Sequence, residues 1–128
     1  MQTVILTTGQ TPYTVTACVV VCGSDIAVVI GGGTAPHIGA AALASPRPSL
    51  QAADAVSASA SVLCRPGHKD DLPAREAALY LAGQFNTNVS VTVGLHVDAA
   101  NEQDILALQQ NFQELVQQIA NWLLLHTS

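Results

Sequence analysis

The feature that most constrains the fold is a regularly spaced apolar series near the C-terminus. Its members recur at intervals of three and four residues, which places them on one face of an amphipathic α-helix. Asn101 is positioned to cap this helix, with Asp104 three residues later in a capping-box position. A helix with one apolar face needs a second layer to cover it. The series consists of Ile105, Leu108, Phe112, Leu115, Ile119 and Trp122.

The first half of the chain has the pattern of β-strands, and so can supply that second layer. Short runs rich in Val and Thr, both strand formers, are separated by Gly and Pro turns. The first connections have hairpin length, which predicts an antiparallel meander. Residues 45–49 contain two prolines and are predicted to form a loop. The predicted strands are residues 4–7, 13–22, 26–30, 38–44 and 56–64, with a further strand at 88–95.

A second, shorter helix is predicted at residues 74–82, which are rich in Ala and Leu. Asp70 or Asp71 can cap it, and Pro73 is tolerated in its first turn. Strands followed by segregated helices predict an α+β fold, with a mostly antiparallel sheet and two helices packed on one face. A length of 128 residues predicts a single domain over residues 1–128.

The chain carries few charges. Charged residues make up 10% of the sequence, against about 25% in an average domain. A surface with so few charges favours association, and we expect a homodimer or a higher homo-oligomer. The net charge is −5, from 4 Lys and Arg against 9 Asp and Glu. This balance disfavours nucleic-acid binding, which depends on basic residues that neutralise phosphates.

The sequence also predicts a cytoplasmic address. Its apolar runs fall short of the roughly 20 residues of a transmembrane helix. The first residues lack the basic start and apolar core of a signal peptide. Cys18, Cys22 and Cys64 are odd in number and lie in strand-like segments. We expect them to be buried free thiols in a reducing compartment.

Three histidines occupy the same kind of position, next to a glycine where a predicted strand ends. His37 follows the glycine-rich segment 31–33, which is predicted to be a flexible loop. His68 follows strand 56–64 and His96 follows strand 88–95. Loops held by rigid elements commonly carry binding and catalytic side chains. If these strand ends share one edge of the sheet, the three loops form one site.

Several interpretations of these loops remain open from the residues alone. In the simplest, the polar residues are turn and cap residues and the loops are solvated. A second is a metal site formed by His37, His68 and His96 with Asp98, since imidazole and carboxylate suit Zn, Mn or Fe. A third is a phosphorylated ligand held by the glycine-loop amides, with Lys69 lending positive charge. Nucleophilic chemistry at Cys64 is disfavoured, because this cysteine ends a strand whose apolar residues are expected to be buried.

Taken together, the three motifs resemble those of the prenylated-flavin chaperone-like, LpdD-like family, whose members are small accessory subunits of gallate (hydroxyarylic acid) decarboxylase systems. The motifs are Pro-His-Ile-Gly-Ala at 36–40, Pro-Gly-His-Lys-Asp-Asp at 66–71 and Gly-Leu-His-Val-Asp at 94–98. The resemblance extends from residue 15 to about residue 119. Its specificity comes from the order and spacing of the three motifs.

The resemblance implies a non-catalytic accessory protein. It would bind prenylated FMN or FMN as cargo and help to deliver it to, or mature, a UbiD-type aromatic acid decarboxylase. The alternatives are a small metal-dependent enzyme that uses the histidine cluster and a divalent metal, and a purely structural decarboxylase subunit. The positions that match the family motifs, and to which the resemblance assigns a ligand-site role, are Gly31, Gly32, Gly33, His37, Gly39, His68, Lys69, Asp70, Asp71, His96 and Asp98.

Overall fold

The structure is a computed structural model that describes residues 1–52 and 54–127. These residues form six strands and two helices, arranged in the order expected for strands followed by segregated helices. The elements are β1 (Gln2–Thr8), β2 (Val15–Cys22), β3 (Asp25–Gly33), β4 (Ala40–Pro48), β5 (Val56–Cys64), α1 (Asp71–Phe85), β6 (Val89–His96) and α2 (Glu102–His126).

The six strands form one sheet in the order β1-β2-β3-β6-β4-β5. Strands β1, β2 and β3 form the predicted antiparallel meander. Strand β6 lies between β3 and β4, parallel to β3 and antiparallel to β4. The connection from β5 to β6 contains α1. The sheet is therefore mostly antiparallel, as predicted.

Both helices cover the same face of the sheet. Ala17, Ile30 and Val93 lie opposite one another on three neighbouring strands, and all are buried. Helix α1 packs on β4, β5 and β6, whereas α2 packs on β1 and β2. The predicted α+β fold, with two helices on one face, is confirmed.

The predicted apolar face of α2 forms most of the core contact of that helix. Residues 108, 112, 115 and 119 are buried, but Ile105 is 48% exposed. The predicted capping box is present: the Asn101 side chain accepts from the backbone N–H of Asp104, and the Asp104 carboxylate accepts from that of Asn101. In the part of the chain that the structure describes, neither helix combines the length and apolar character needed to cross a membrane.

The prediction that residues 31–33 form a flexible loop is wrong. Gly31, Gly32 and Gly33 are the last residues of β3: all three pair in register with β6, and the first two also pair with β2. They are glycines because neighbouring chain segments approach them closely. A Cβ atom on Gly31 would come within 2.9 Å of Cβ of Pro36, and Gly33 has a φ of +82°. The connecting loop is instead residues 34–39.

The predicted loop at residues 45–49 is also largely wrong, because β4 continues to Pro48. The pairing of β4 with β6 ends at Ala44, opposite Val89, whereas its pairing with β5 continues to the strand end. Beyond Ala44 the strand therefore has an open edge. Proline is tolerated on such an edge, because the missing N–H donor leaves no ladder hydrogen bond unmade there.

The three cysteines are free thiols, but the prediction that they are buried is wrong. Cys22 and Cys64 are exposed, and Cys18 is half-buried. Cys22 and Cys64 are each the last residue of a strand. Cys18 lies on the face of the sheet opposite the helices, since its neighbours in the strand, Ala17 and Val19, are the residues buried beneath them.

Candidate functional site

The three histidine loops meet at one edge of the sheet. The ring centroid of His37 lies 5.1 Å from that of His68 and 6.5 Å from that of His96. The topology explains this meeting. Strands β3 and β6 are parallel and end together, with Gly33 opposite His96. Strand β5 ends at the same edge, because it is antiparallel to β4, which begins there.

Asp70 is the buried polar group that joins these loops. Its side chain is enclosed although aspartate is usually exposed. The Oδ1 atom accepts a hydrogen bond from the backbone N–H of Leu95 at 3.2 Å, and Oδ2 lies 3.4 Å from Nε2 of His37. The prediction that Asp70 caps α1 with its side chain is therefore wrong, although it occupies the N-cap position. The carboxylate binds the end of β6 instead.

His37 and His68 are held in the same way. Nδ1 of each ring lies 3.0 Å from the carbonyl oxygen of the residue two positions earlier. This residue is Ala35 for His37 and Pro66 for His68. A hydrogen on Nδ1 donates to that carbonyl, which fixes the neutral tautomer and leaves Nε2 as an acceptor. Nε2 of His37 is buried and, within the described ranges, makes no hydrogen bond of good geometry. If this ring is protonated, Nε2 forms an ion pair with Asp70.

His96 is held by a separate network. Its Nε2 lies 3.0 Å from Oδ1 of Asp98. Thr34 connects this loop to the end of β3: its backbone N–H donates to the His96 carbonyl at 2.7 Å, and its hydroxyl accepts from the Asp98 N–H at 3.1 Å. Thr34 was not a candidate from the sequence, because nothing in a single threonine after three glycines indicates a contact 64 residues away.

Two glycines make this close arrangement possible. A Cβ atom on Gly94 would collide with the carbonyl oxygen of His37, so the His37 loop can lie directly on β6 only where that residue is glycine. A Cβ atom on Gly39 would collide with the Asp70 carboxylate. Gly39 therefore gives Asp70 room to approach His37.

The loops and the helix starts enclose a cavity of about 940 Å³. Small-molecule pockets typically measure about 300–1,000 Å³. The polar lining comes mainly from the strand-end loops, and the apolar lining from the first turns of both helices and the end of β6. The polar residues are His37, Arg65, His68, Lys69, Asp70 and His96, and the larger apolar residues are Leu72, Pro73, Leu95, Ile105 and Leu108.

The candidate residues from the sequence divide into two groups. The cavity is lined by His37, His68, Lys69, Asp70 and His96. The other candidates lie beside it: Gly31, Gly32 and Gly33 are in β3, Gly39 faces Asp70, Asp71 is the exposed first residue of α1, and Asp98 binds His96. Residues 31–33, whose amides were candidates for holding a phosphate, belong to the sheet ladder and not to a loop.

Sequence reasoning missed Arg65 and the apolar lining. Arg65 donates from Nη1 to the carbonyl of Ile38 at 2.9 Å and lines the cavity. The scarcity of basic residues was the available signal, since the chain has only four Lys and Arg. Its spacing along the sequence assigned Ile105 to the core face of α2. In the structure it is exposed and lines the cavity.

The metal site suggested for His37, His68 and His96 finds no support. Across residues 1–52 and 54–127, no group of three or more His, Cys, Asp or Glu side chains is arranged to hold a metal ion. Nδ1 of both His37 and His68 contacts a carbonyl oxygen, and Nε2 of His96 contacts Asp98.

These features define a small α+β protein with a concave strand-end cavity, the kind of place where ligands usually bind. Residues 9–124 match the family of the prenylated flavin chaperone LpdD-like domain. Protein LpdD of Lactiplantibacillus plantarum is 31% identical over 122 residues, which cover 94% of this chain and 85% of that protein. The chain therefore belongs to the prenylated flavin chaperone LpdD-like family, and the resemblance seen in its three motifs is confirmed.

The fold is also found among solved structures. One of them is a chain from the crystal structure of a chaperone complex for yeast 20S proteasome assembly, with a TM-score of 0.58. The superposition covers 95% of this chain and 94% of that chain, at 17% sequence identity. At this identity the likeness establishes a common fold and nothing about function.

Proposed function

We propose that this protein is a non-catalytic accessory protein that binds prenylated FMN and delivers it to, or matures, a UbiD-type aromatic acid decarboxylase. The observation that carries the proposal is the cavity at the meeting point of the three histidine loops, lined by cations and imidazoles from the loops and by aliphatic side chains from the helices. Membership of the prenylated flavin chaperone family supports the accessory role.

The polar lining suits the phosphate of a flavin mononucleotide. Arg65 and Lys69 are two of only four basic residues in a chain of net charge −5, and both line the cavity. The first turn of α1 contributes Leu72 and Pro73 to the same cavity. A helix N-terminus carries a partial positive charge, so it favours an anion nearby. His68 adds a further hydrogen-bonding group.

The apolar lining suits the flat ring system and its prenyl addition. Leu72 and Ile105 are 61% and 48% exposed although both are large aliphatic residues. Contact with an apolar ligand would remove this surface from water, which stabilises the complex by about 25 cal/mol per Å². Because both side chains are accessible from solvent, the bound ligand could leave again, as a carrier requires.

Equilibrium dialysis with prenylated FMN, FMN and riboflavin tests the binding step. We expect retention of the two phosphorylated flavins, and roughly tenfold weaker retention in His37→Ala and His68→Ala. His126→Ala is the matched control, because His126 stacks on Trp122 at the C-terminal end of α2. Failure of the folded protein to retain any flavin would overturn the binding proposal.

Maturation of a UbiD-type apo-decarboxylase tests the delivery step. Flavin-loaded protein should restore decarboxylase activity faster than an equal amount of prenylated FMN in solution. The His37→Ala variant, with weakened retention, should lose this advantage. If the variant and the parent protein promote maturation equally, the protein acts as a structural subunit and the carrier proposal is wrong.

A further inference from the structure

The face of the sheet opposite the helices carries an apolar row that crosses all six strands. The residues of this row are direct partners in the strand register, so they lie side by side. Ile5 is 70% exposed, Val29 is 53% exposed and Leu63 is 80% exposed. The full row, from β1 to β5, is Ile5, Cys18, Val29, Thr92, Ala41 and Leu63.

The neighbouring row is also uncharged, and half of its residues are apolar while the other half carry hydroxyl groups. It runs through Thr3, Val20, Ala27, Ser90, Leu43 and Ser61, and it includes Leu43 at 56% exposure. Charged side chains on this face, among the strand residues that the structure describes, are confined to its margins at Asp25 and Arg47. Each is already used within the chain, since Asp25 accepts from Asn88 and Arg47 donates to Ser59.

The size of this face matches what a stable dimer needs. Strand spacings of ~4.8 Å and a rise of ~3.3 Å per residue give a six-stranded face of about 25 Å by about 25 Å. A standard protein interface buries about 800 Å² of accessible surface per partner, which a corrugated face of this extent can supply.

We propose that a second copy of this chain covers this face, forming a two-layer sandwich of two six-stranded sheets with the helices outside. An uncharged face can meet an identical face without like-charge repulsion, whereas it offers no complementary charge to an acidic or basic partner. Two such sheets pack about 10 Å apart with their strands within about 30° of alignment. A twofold axis makes the contact self-complementary.

The loop that carries His37 borders the proposed interface. Gly31 and Gly94 lie on this same face, and the backbone of Pro36 and His37 lies over them. The next residue, Ile38, is 61% exposed at that margin. A second copy would therefore contact the loop that positions His37. The interface nevertheless stands independently of flavin binding, because it follows from the sheet face alone.

Sedimentation velocity of the full chain without flavin tests this interface. We expect a dimer at micromolar concentration, and at least roughly 100-fold weaker association in Val29→Arg, because the arginine would place two like charges near the twofold axis. Leu63→Arg repeats the test on an edge strand at a highly exposed position. Leu124→Arg is the control, since Leu124 is 73% exposed on α2 and not on the sheet.

The thiol of Cys18 gives a second measurement. It lies within the apolar row, between Ile5 and Val29, whereas Cys22 and Cys64 are exposed at strand ends. Val29→Arg should increase the rate at which Cys18 reacts with a thiol reagent, because dissociation uncovers it, and should leave the rates of the other two unchanged. A parent protein that sediments as a monomer, or association lost equally in Leu124→Arg, would overturn the proposal.

Discussion

Oδ2 of the Asp70 carboxylate lies 3.4 Å from Nε2 of His37, and this contact joins the start of α1 to the loop after β3. The same carboxylate accepts a hydrogen bond from the backbone of Leu95. One buried side chain therefore fixes three segments of the cavity wall. A buried carboxylate with these partners is costly to disturb, because its loss leaves other polar groups without a partner.

Substitutions at Asp70 should distinguish the effect of its carboxylate charge from the effect of its hydrogen bond to Leu95. Asp70→Ala leaves the Leu95 N–H unsatisfied and should lower the free energy of unfolding by about 1–3 kcal/mol. Asp70→Asn retains an acceptor oxygen and should cost less. Both variants should bind flavin more weakly, because His37 loses the carboxylate that lies 3.4 Å from its Nε2. Urea unfolding, with Asp71→Ala at the exposed neighbour as control, measures the first effect, and flavin dialysis measures the second. Unchanged stability in Asp70→Ala would contradict this role.

Gly94→Ala should displace the His37 loop from β6. The added methyl group would collide with the His37 carbonyl, and such overpacking typically costs about 1–3 kcal/mol. Flavin retention should fall with stability, because His37 moves. The control is Gly83→Ala on α1, where a Cβ atom would meet nothing within 4 Å. Alanine favours a helix, so this variant should be as stable as the parent or up to about 1 kcal/mol more stable. Equal thermal unfolding of both variants would contradict the packing argument.

The sequence predicted the parts of the fold that depend on local patterns. Alternation and periodicity identified the strands, α2 and its Asn101 cap, because those signals lie within a few residues. The role of Gly94 depends on a loop about 57 residues earlier in the chain, and that of Asp70 on an amide 25 residues later. Neither composition nor local sequence pattern indicates contacts between residues so far apart in the chain. The three histidine loops could be named as candidates from the sequence. That they meet could not be predicted, because it depends on the insertion of β6 between β3 and β4.

Lys69→Ala should weaken binding of FMN while leaving riboflavin binding unchanged, because the lysine is expected to act on the phosphate. We expect roughly a tenfold loss for FMN and a weaker dependence of FMN binding on salt concentration. Lys69 is a cleaner target than Arg65, which also holds the carbonyl of Ile38. Arg75→Ala removes the same charge from an exposed position on α1 and serves as control. Equal losses for FMN and riboflavin would exclude a phosphate contact.

The hydrogen bond between Tyr13 and Asp104 should make stability depend on pH at both extremes. The Tyr13 hydroxyl donates to Oδ1 of Asp104 at 2.5 Å, tying the β1–β2 connection to the start of α2. This bond, followed by the Asn101 backbone N–H, lowers the pKa of Asp104 below its ordinary 3.8. The bond to Asp104, followed by burial and the carboxylate charge, raises the pKa of Tyr13 above 10.0.

The sign of each effect follows from linkage between proton binding and folding. A lowered Asp104 pKa contributes stability that is present above 3.8 and is lost as pH falls through the lower folded-state value. A raised Tyr13 pKa contributes stability that is present below 10.0 and is lost as pH rises through the higher folded-state value. Tyr13→Phe removes the Tyr13 contribution and the part of the Asp104 contribution that comes from Tyr13. Its melting temperature should therefore lie furthest below that of the parent near neutral pH, and the two should converge as pH falls below 3.8 or rises above 10.0. A difference that stays constant across this range would mean that Tyr13 stabilises the fold through packing alone.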